Sequence, residues 1–242
     1  MIRSQKKLKE AAAPQEKLSQ SEELLVAYHK SSDWIKNNSS KAIGVGVVIV
    51  ALIAGVFYWR SKQADNSEHA EIMLSRVVGL YQSGEWRKAI DGDAKQRLQN
   101  EPLRGLKEIA SEYGSTRAGQ IAKLYLGNAY YYLGKLDSAM QAFNDASKDG
   151  PLLKAAVESG KATIFEDKGN KEEAAKLFIR AASIEKINPM NADYSLAAAR
   201  NYEQAGKKDE AIKIYRKLLE DYPGTQFDDA AKRELLKMGV IL

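Results

Sequence analysis

Apolar and polar positions alternate in two different ways along this chain. From Ala42 to Trp59, eighteen consecutive residues (AIGVGVVIVALIAGVFYW) are apolar, aromatic or glycine and carry no charge. As a helix rising 1.5 Å per residue, the run extends roughly 27 Å, close to the ~30 Å hydrocarbon thickness of a bilayer. The forty-one residues before it are mainly polar; after it, apolar residues recur three and four apart with charges between them, the period of amphipathic helices. A core helix with no polar position in eighteen would be out of keeping with those helices. A cleaved secretory signal needs a short basic start and a small-residue cleavage site. Here the preceding segment is long, and Phe57, Tyr58, Trp59 and Arg60 close the run. The pattern predicts a retained transmembrane helix over 42–59, with Tyr58 and Trp59 in the interfacial aromatic belt at its exit and Trp34 near its entry.

Charge orients the span. Arg3, Lys6, Lys7, Lys9, Lys17, Lys30, Lys36 and Lys41 precede it, whereas Arg60 and Lys62 follow it before Asp65, Glu68 and Glu71 arrive. The positive-inside rule predicts a cytoplasmic N-terminus and places residues from about 60 onward across the membrane. Residues 1–20 read as disordered from their Lys, Ala, Gln and Glu content. Leu24, Leu25, Tyr28 and Ile35 can form one apolar stripe near the membrane, although the basic residues suffice as a topology signal. The net charge is +5, and beyond Lys41 the chain is nearly balanced, which argues against a nucleic-acid-binding face. No cysteine is present, which excludes a disulfide framework and thiolate metal sites.

Beyond the span the sequence repeats. Three segments align: Leu126–Pro151, Lys161–Ala182 and Ala198–Pro223, with turn glycines Gly134, Gly169 and Gly206 spaced 35 and 37 apart. Small residues Gly127, Ala162 and Ala199 stand seven before each glycine, where two helices approach closely. Tyr130, Phe165 and Tyr202 follow three later. Ala139, Ala174 and Ala211 lie five past each glycine, with Phe143, Phe178 and Tyr215 four further on, and Ala146, Ala181 and Leu218 completing that face. This periodicity resembles the tetratricopeptide repeat. A fourth, degenerate unit precedes them, with Val77, Leu80, Gly84 and Ala89 at matching spacing; its second helix is interrupted by the polar stretch Asp91 to Pro102. Thr225 to about Met238 is expected to cap the array, with Lys232, Arg233 and Glu234 on its outward side. The expected fold is all-α: one N-terminal transmembrane helix followed by a tetratricopeptide-type solenoid. Its parts are a cytosolic segment 1–41, the span 42–59, a degenerate repeat and connector 60–117, three repeats over 118–224 and the cap 225–242.

The order of parts resembles the tetratricopeptide-repeat proteins tethered to bacterial inner membranes, and within them the ancillary-subunit family of the SecYEG translocon. The likeness rests on Asp33 to Lys36, the AIGVGVVIV span, the Tyr58–Arg60 exit and the repeats behind it. It implies a periplasmic repeat domain, association with the translocon, and a chaperone-like role toward exported clients. The third repeat and its YPGTQF tail also resemble repeat proteins of the Tol–Pal and outer-membrane assembly systems, which implies instead a structural accessory subunit.

No catalytic constellation can be assembled, and no cofactor or metal is expected. The two histidines, His29 and His69, fall on opposite sides of the predicted span, and no H-E-x-x-H, G-x-S-x-G or phosphate-loop motif occurs. Gly44, Gly46 and Gly55 suit helix packing within the span, but GVGVV lacks the G-x-x-x-G spacing of a dimerisation face, leaving the oligomeric state open. Paired carboxylates such as Glu172 and Glu173, or Asp228 and Asp229, read as solvated helix starts. Binding is the chemistry that remains. Inner helices of such solenoids line one face, and the residues one, four and five places after each small position point there. They are Asn128, Tyr131 and Tyr132; Thr163, Glu166 and Asp167; and Arg200, Glu203 and Gln204. Tyrosines offer flat amphipathic surface, while Asn128 and Arg200 can hydrogen-bond a peptide. The competing reading packs the tyrosines on neighbouring helices and pairs Arg200 with Glu203. A grip on a C-terminal carboxylate is disfavoured: Asn128 matches one member of the Lys/Asn/Lys/Arg set that such domains share, but Leu124, Ala197, Asp193 and Gly160 stand at the other positions.

Overall fold

The computed structural model describes residues 38–98, 101–146 and 150–241, with Leu25, Tyr28, His29, Ser31, Ser32 and Lys36 before them. The expected disorder of residues 1–20, the Trp34 contact and the stripe through Leu24 and Ile35 lie outside the described residues. The chain separates into two compact units, Met1–Ser61 and Lys62–Leu242. Helix α1 runs Ser39–Gln82 and contains the apolar run. Every residue from Ile43 to Trp59 is exposed, so this stretch is not packed as a core helix. It is long and apolar enough to cross a membrane, where a helix satisfies its own backbone groups and lipid covers its side chains.

In the second unit, helices follow one another in pairs. The C-terminal part of α1 is joined by a tight turn to α2 (Trp86–Asp91). A short hairpin then intervenes before α3 (Leu106–Glu112). After it come α4 (Arg117–Tyr132) with α5 (Leu136–Asp145), α6 (Pro151–Asp167) with α7 (Lys171–Ile184), α8 (Asn191–Gln204) with α9 (Lys208–Asp221), and a final α10 (Gln226–Lys237). The same turn joins each pair. Gly84, Gly134, Gly169 and Gly206 all take positive φ, between 71° and 80°. At Gly134, its N–H donates to the Tyr131 carbonyl at 2.8 Å and the Lys135 N–H donates to the Tyr130 carbonyl at 2.9 Å. These bonds satisfy carbonyls that the helix end would leave open, and only glycine takes the left-handed conformation without steric cost. The Gly84 turn repeats both bonds, to the Tyr81 and Leu80 carbonyls. The degenerate unit therefore closes as the regular ones do.

Packing explains the spacing of small and large residues. Ala139, Ala174 and Ala211 are fully buried, and Phe143, Phe178 and Tyr215 are 0–5 % exposed. Phe143 shows the constraint most sharply. A Cβ added to Gly127 on α4 would fall 2.5 Å from its ring, and one added to Gly160 on α6 would also fall 2.5 Å from it. The ring thus lies between two helices, each of which has given up its side chain to admit it.

Three details depart from the expected pattern. The polar stretch after Asp91 is a hairpin, with β1 (Gly92–Leu98) antiparallel to β2 (Glu101–Arg104). Pro102 cannot continue a helix, and Gly92 turns the chain at φ 86°. At the hairpin base the backbones nearly touch: a Cβ on Gly92 would meet the Leu103 carbonyl oxygen at 2.4 Å, and one on Gly105 the Ile90 carbonyl oxygen at 2.2 Å. The first helix of the second repeat starts at Pro151, ten residues before the aligned segment, because proline is well suited to a first helical turn. In α10, Lys232 and Arg233 face solvent, but the Glu234 side chain is only 18 % exposed and pairs with Lys237 at 2.9 Å. That helix is fixed at its start by Asp228, which accepts from the Lys232 ammonium and the Gly224 N–H, each at 2.9 Å. These bonds, the Lys232 one foremost, hold its carboxyl below the usual range.

Alanine is the better helix former by about 1 kcal/mol, yet overpacking costs about 1–3 kcal/mol. Gly127→Ala and Gly160→Ala should therefore each destabilise the second unit, by up to about 2 kcal/mol net. Denaturant unfolding of the detergent-solubilised chain measures this, and adding Phe143→Leu to either variant should recover part of the loss.

Candidate protein-binding face

The first helices of the three regular repeats, α4, α6 and α8, are linked in turn by side-chain hydrogen bonds. Tyr131 on α4 hydrogen-bonds Asp167 on α6, and Tyr194 on α8 hydrogen-bonds Ser159 on α6. Each of these helices leaves by an equivalent turn, and by position before it the candidate residues form three rows: Asn128, Thr163 and Arg200; Tyr131, Glu166 and Glu203; Tyr132, Asp167 and Gln204.

Much of this chemistry is already used inside the fold. Asn128 bonds the Tyr81 hydroxyl. Tyr132 stacks on Trp86 of α2, with ring centroids 4.5 Å apart and planes 17° from parallel, and meets Tyr131 edge-on at 5.6 Å. The Thr163 hydroxyl donates to the Ser159 carbonyl at 3.1 Å, one helical turn back. Glu166 lies 4.0 Å from the Lys171 ammonium. Glu203 accepts from the buried Tyr215 hydroxyl at 3.2 Å, so the expected alternative of an Arg200–Glu203 pair does not form. Arg200, Gln204 and Tyr132 stay exposed, Tyr132 at 58 %. Among the described residues Arg200 makes no ion pair. Trp86 is the inner-face partner that the repeat alignment missed; it stands two residues past Gly84, outside the matched offsets.

Electrostatics separate the spent groups from the available ones. Burial, then the hydrogen bond to Asp167 and the nearby carboxylate charges, pushes the Tyr131 hydroxyl up to about 12. Burial, then the Glu203 carboxylate, pushes Tyr215 higher still. Both phenols stay neutral and act as donors that hold carboxylates in place. Among the described residues no group of three His, Asp or Glu side chains is close enough to hold a metal ion.

Next to these rows lies a cavity of about 910 Å³, bounded by the N-terminal half of α4, the start of α6 and the segment after α7. Ile121, Leu124, Leu153 and Ala156 contribute to its wall. The apolar pair Leu152–Leu153 directly after Pro151 is the sequence signal for it, legible only once the helix is known to start there.

The family described as the tetratricopeptide repeat-like domain matches residues 32–239 of the chain. No curated protein matches it.

A group whose folded pKa is raised contributes stability that is complete below its unfolded value and is lost as pH rises through the folded value. For Tyr131 that window runs from 10 to about 12. Tyr131→Phe should lower stability at pH 8 by about 1 kcal/mol through the lost hydrogen bond. It should also flatten the further loss across that alkaline window, as read from denaturation midpoints measured at successive pH values.

Proposed function

The chain belongs to the tetratricopeptide repeat-like family, and on that premise we propose that it is a non-catalytic, membrane-tethered scaffold that binds polypeptide on the shared face of α4, α6 and α8. The observation that carries this reading is what the face leaves open. Its carboxylates and inner tyrosines are engaged within the fold, while Tyr132, Arg200 and Gln204 remain exposed in neighbouring rows. A flat aromatic surface on α4, with an uncommitted guanidinium and a side-chain amide two first helices along on α8, suits an extended chain, which would contact the ring through apolar side chains and the cation and amide through carbonyls or carboxylates.

The helix at 42–59 anchors the scaffold to a bilayer. The eight basic residues before it, against Arg60 and Lys62 after it, support a cytoplasmic N-terminus and a repeat domain on the opposite side, periplasmic in a bacterial inner membrane. The likeness of the span and its flanks to the translocon ancillary family supports newly exported polypeptides as clients and the Sec translocon as the place of action.

Photo-cross-linkers at positions 132 and 200 of the full-length chain, with position 213 on the second helix of the last repeat as control, test the reading. Many exported polypeptides captured at 132 and 200, and few at 213, is the expected result. Tyr132→Ala combined with Arg200→Ala should reduce capture roughly tenfold. A single stoichiometric partner at all three positions would point instead to a fixed structural subunit. Equal, non-selective labelling would end the proposal of a client-binding face.

A further inference from the structure

The cavity between α4, α6 and the segment after α7 has two properties that a generic apolar hollow lacks. The first is shape. Ile187 stands at its rim with 90 % of its surface exposed, and Leu152 with 56 %. Ile187 is held in this position by its neighbours. The Asn191 amide donates to the Glu185 and Lys186 carbonyls at 2.7 and 3.4 Å, and the Asn188 side-chain oxygen accepts from the Met190 N–H at 3.0 Å. An apolar knob is thus fixed beside an apolar hole on one surface.

The second property is charge. Arg117 and Glu185 both line the cavity, and among the described residues neither makes an ion pair. Opposite charges left unpaired at one hollow, beside a knob and a hole, form a surface that carries both halves of each complementary contact. An isologous interface requires this, since a twofold axis brings every residue of the patch against the same patch on the other copy. Ile187 of each copy then enters the other's cavity, and both Arg117–Glu185 contacts form at once. A cavity meant for an unrelated apolar chain needs neither the knob nor the matched charges.

We propose that the chain self-associates as a symmetric dimer through this cavity, its occupant being a second copy. Confinement of the tether to a bilayer raises the effective concentration of copies and favours the contact. Tyr132, Arg200 and Gln204 do not line the cavity, so the dimer stands independently of polypeptide binding on the neighbouring rows.

Charge reversal in the full-length protein, in mild detergent and in lipid nanodiscs, tests the dimer by mass and by subunit-exchange fluorescence. Arg117→Glu and Glu185→Arg should each weaken self-association roughly tenfold or more, because each turns two attractive contacts repulsive. Mixing the two variants should restore association, since every contact in the mixed dimer then joins like-charged side chains no longer; the double variant should restore it too. Both reversals suit the helix dipole, because Arg117→Glu puts an acidic group in the first turn of α4 and Glu185→Arg a basic one at the end of α7, so folding is preserved. Ile187→Asp should weaken association without rescue in any mixture. A wild-type chain that stays monomeric, single variants that dimerise unchanged, or a double variant that fails to recover each overturns the proposal. A monomer whose cavity instead titrates with an apolar peptide overturns it as well and leaves the polypeptide-binding reading standing.

Discussion

Two helices can share one aromatic ring only where the backbone on both sides comes close enough to touch it. Phe143 is held in this way between Gly127 and Gly160, and the packing of the regular repeats is a softened version of the same requirement. Where the approach is less extreme, alanine suffices, as at Ala162 and Ala199, both fully buried. Close approach matters because dispersion falls off within a fraction of an ångström. Small crossing residues exchange side-chain area for proximity, and the aromatic recovers it by filling the space between repeats.

The second constraint is at the turns. Four glycines in the left-handed conformation return the chain through one hydrogen-bonding pattern, so the second helix of each pair leaves the first alike. Pairs closed alike place equivalent residues at the same distance from each turn, and these residues make up the rows. The candidate binding face is a product of turn geometry as much as of the residues that line it. Neighbouring rows are then tied by contacts between repeats, such as Tyr131 to Asp167 and Tyr194 to Ser159.

The sequence disclosed what depends on local spacing. The turn glycines, the small crossing positions and the aromatics that meet them repeat at fixed offsets, and their burial follows from the period of a helix. Features set by distant partners were not legible. Nothing near Tyr132 in the chain announces Trp86, nor does the sequence around Glu203 announce Tyr215 as its donor. The hairpin escaped notice because its strands are short and polar, and because its determinants, Gly92 and Gly105, matter through a meeting of backbones thirteen residues apart. The cavity escaped because it is made by three segments, one of them a polar stretch whose single exposed isoleucine has no periodic context. The SecYEG likeness rests on the order of parts, which many tethered repeat proteins share.

The pinched base of the hairpin has a further consequence. Gly92 and Gly105 fasten the outgoing and returning strands so tightly that α2 and α3 meet a fixed joint, whatever lies beyond it. Any side chain at either position would drive the two backbones apart, so this joint admits glycine alone.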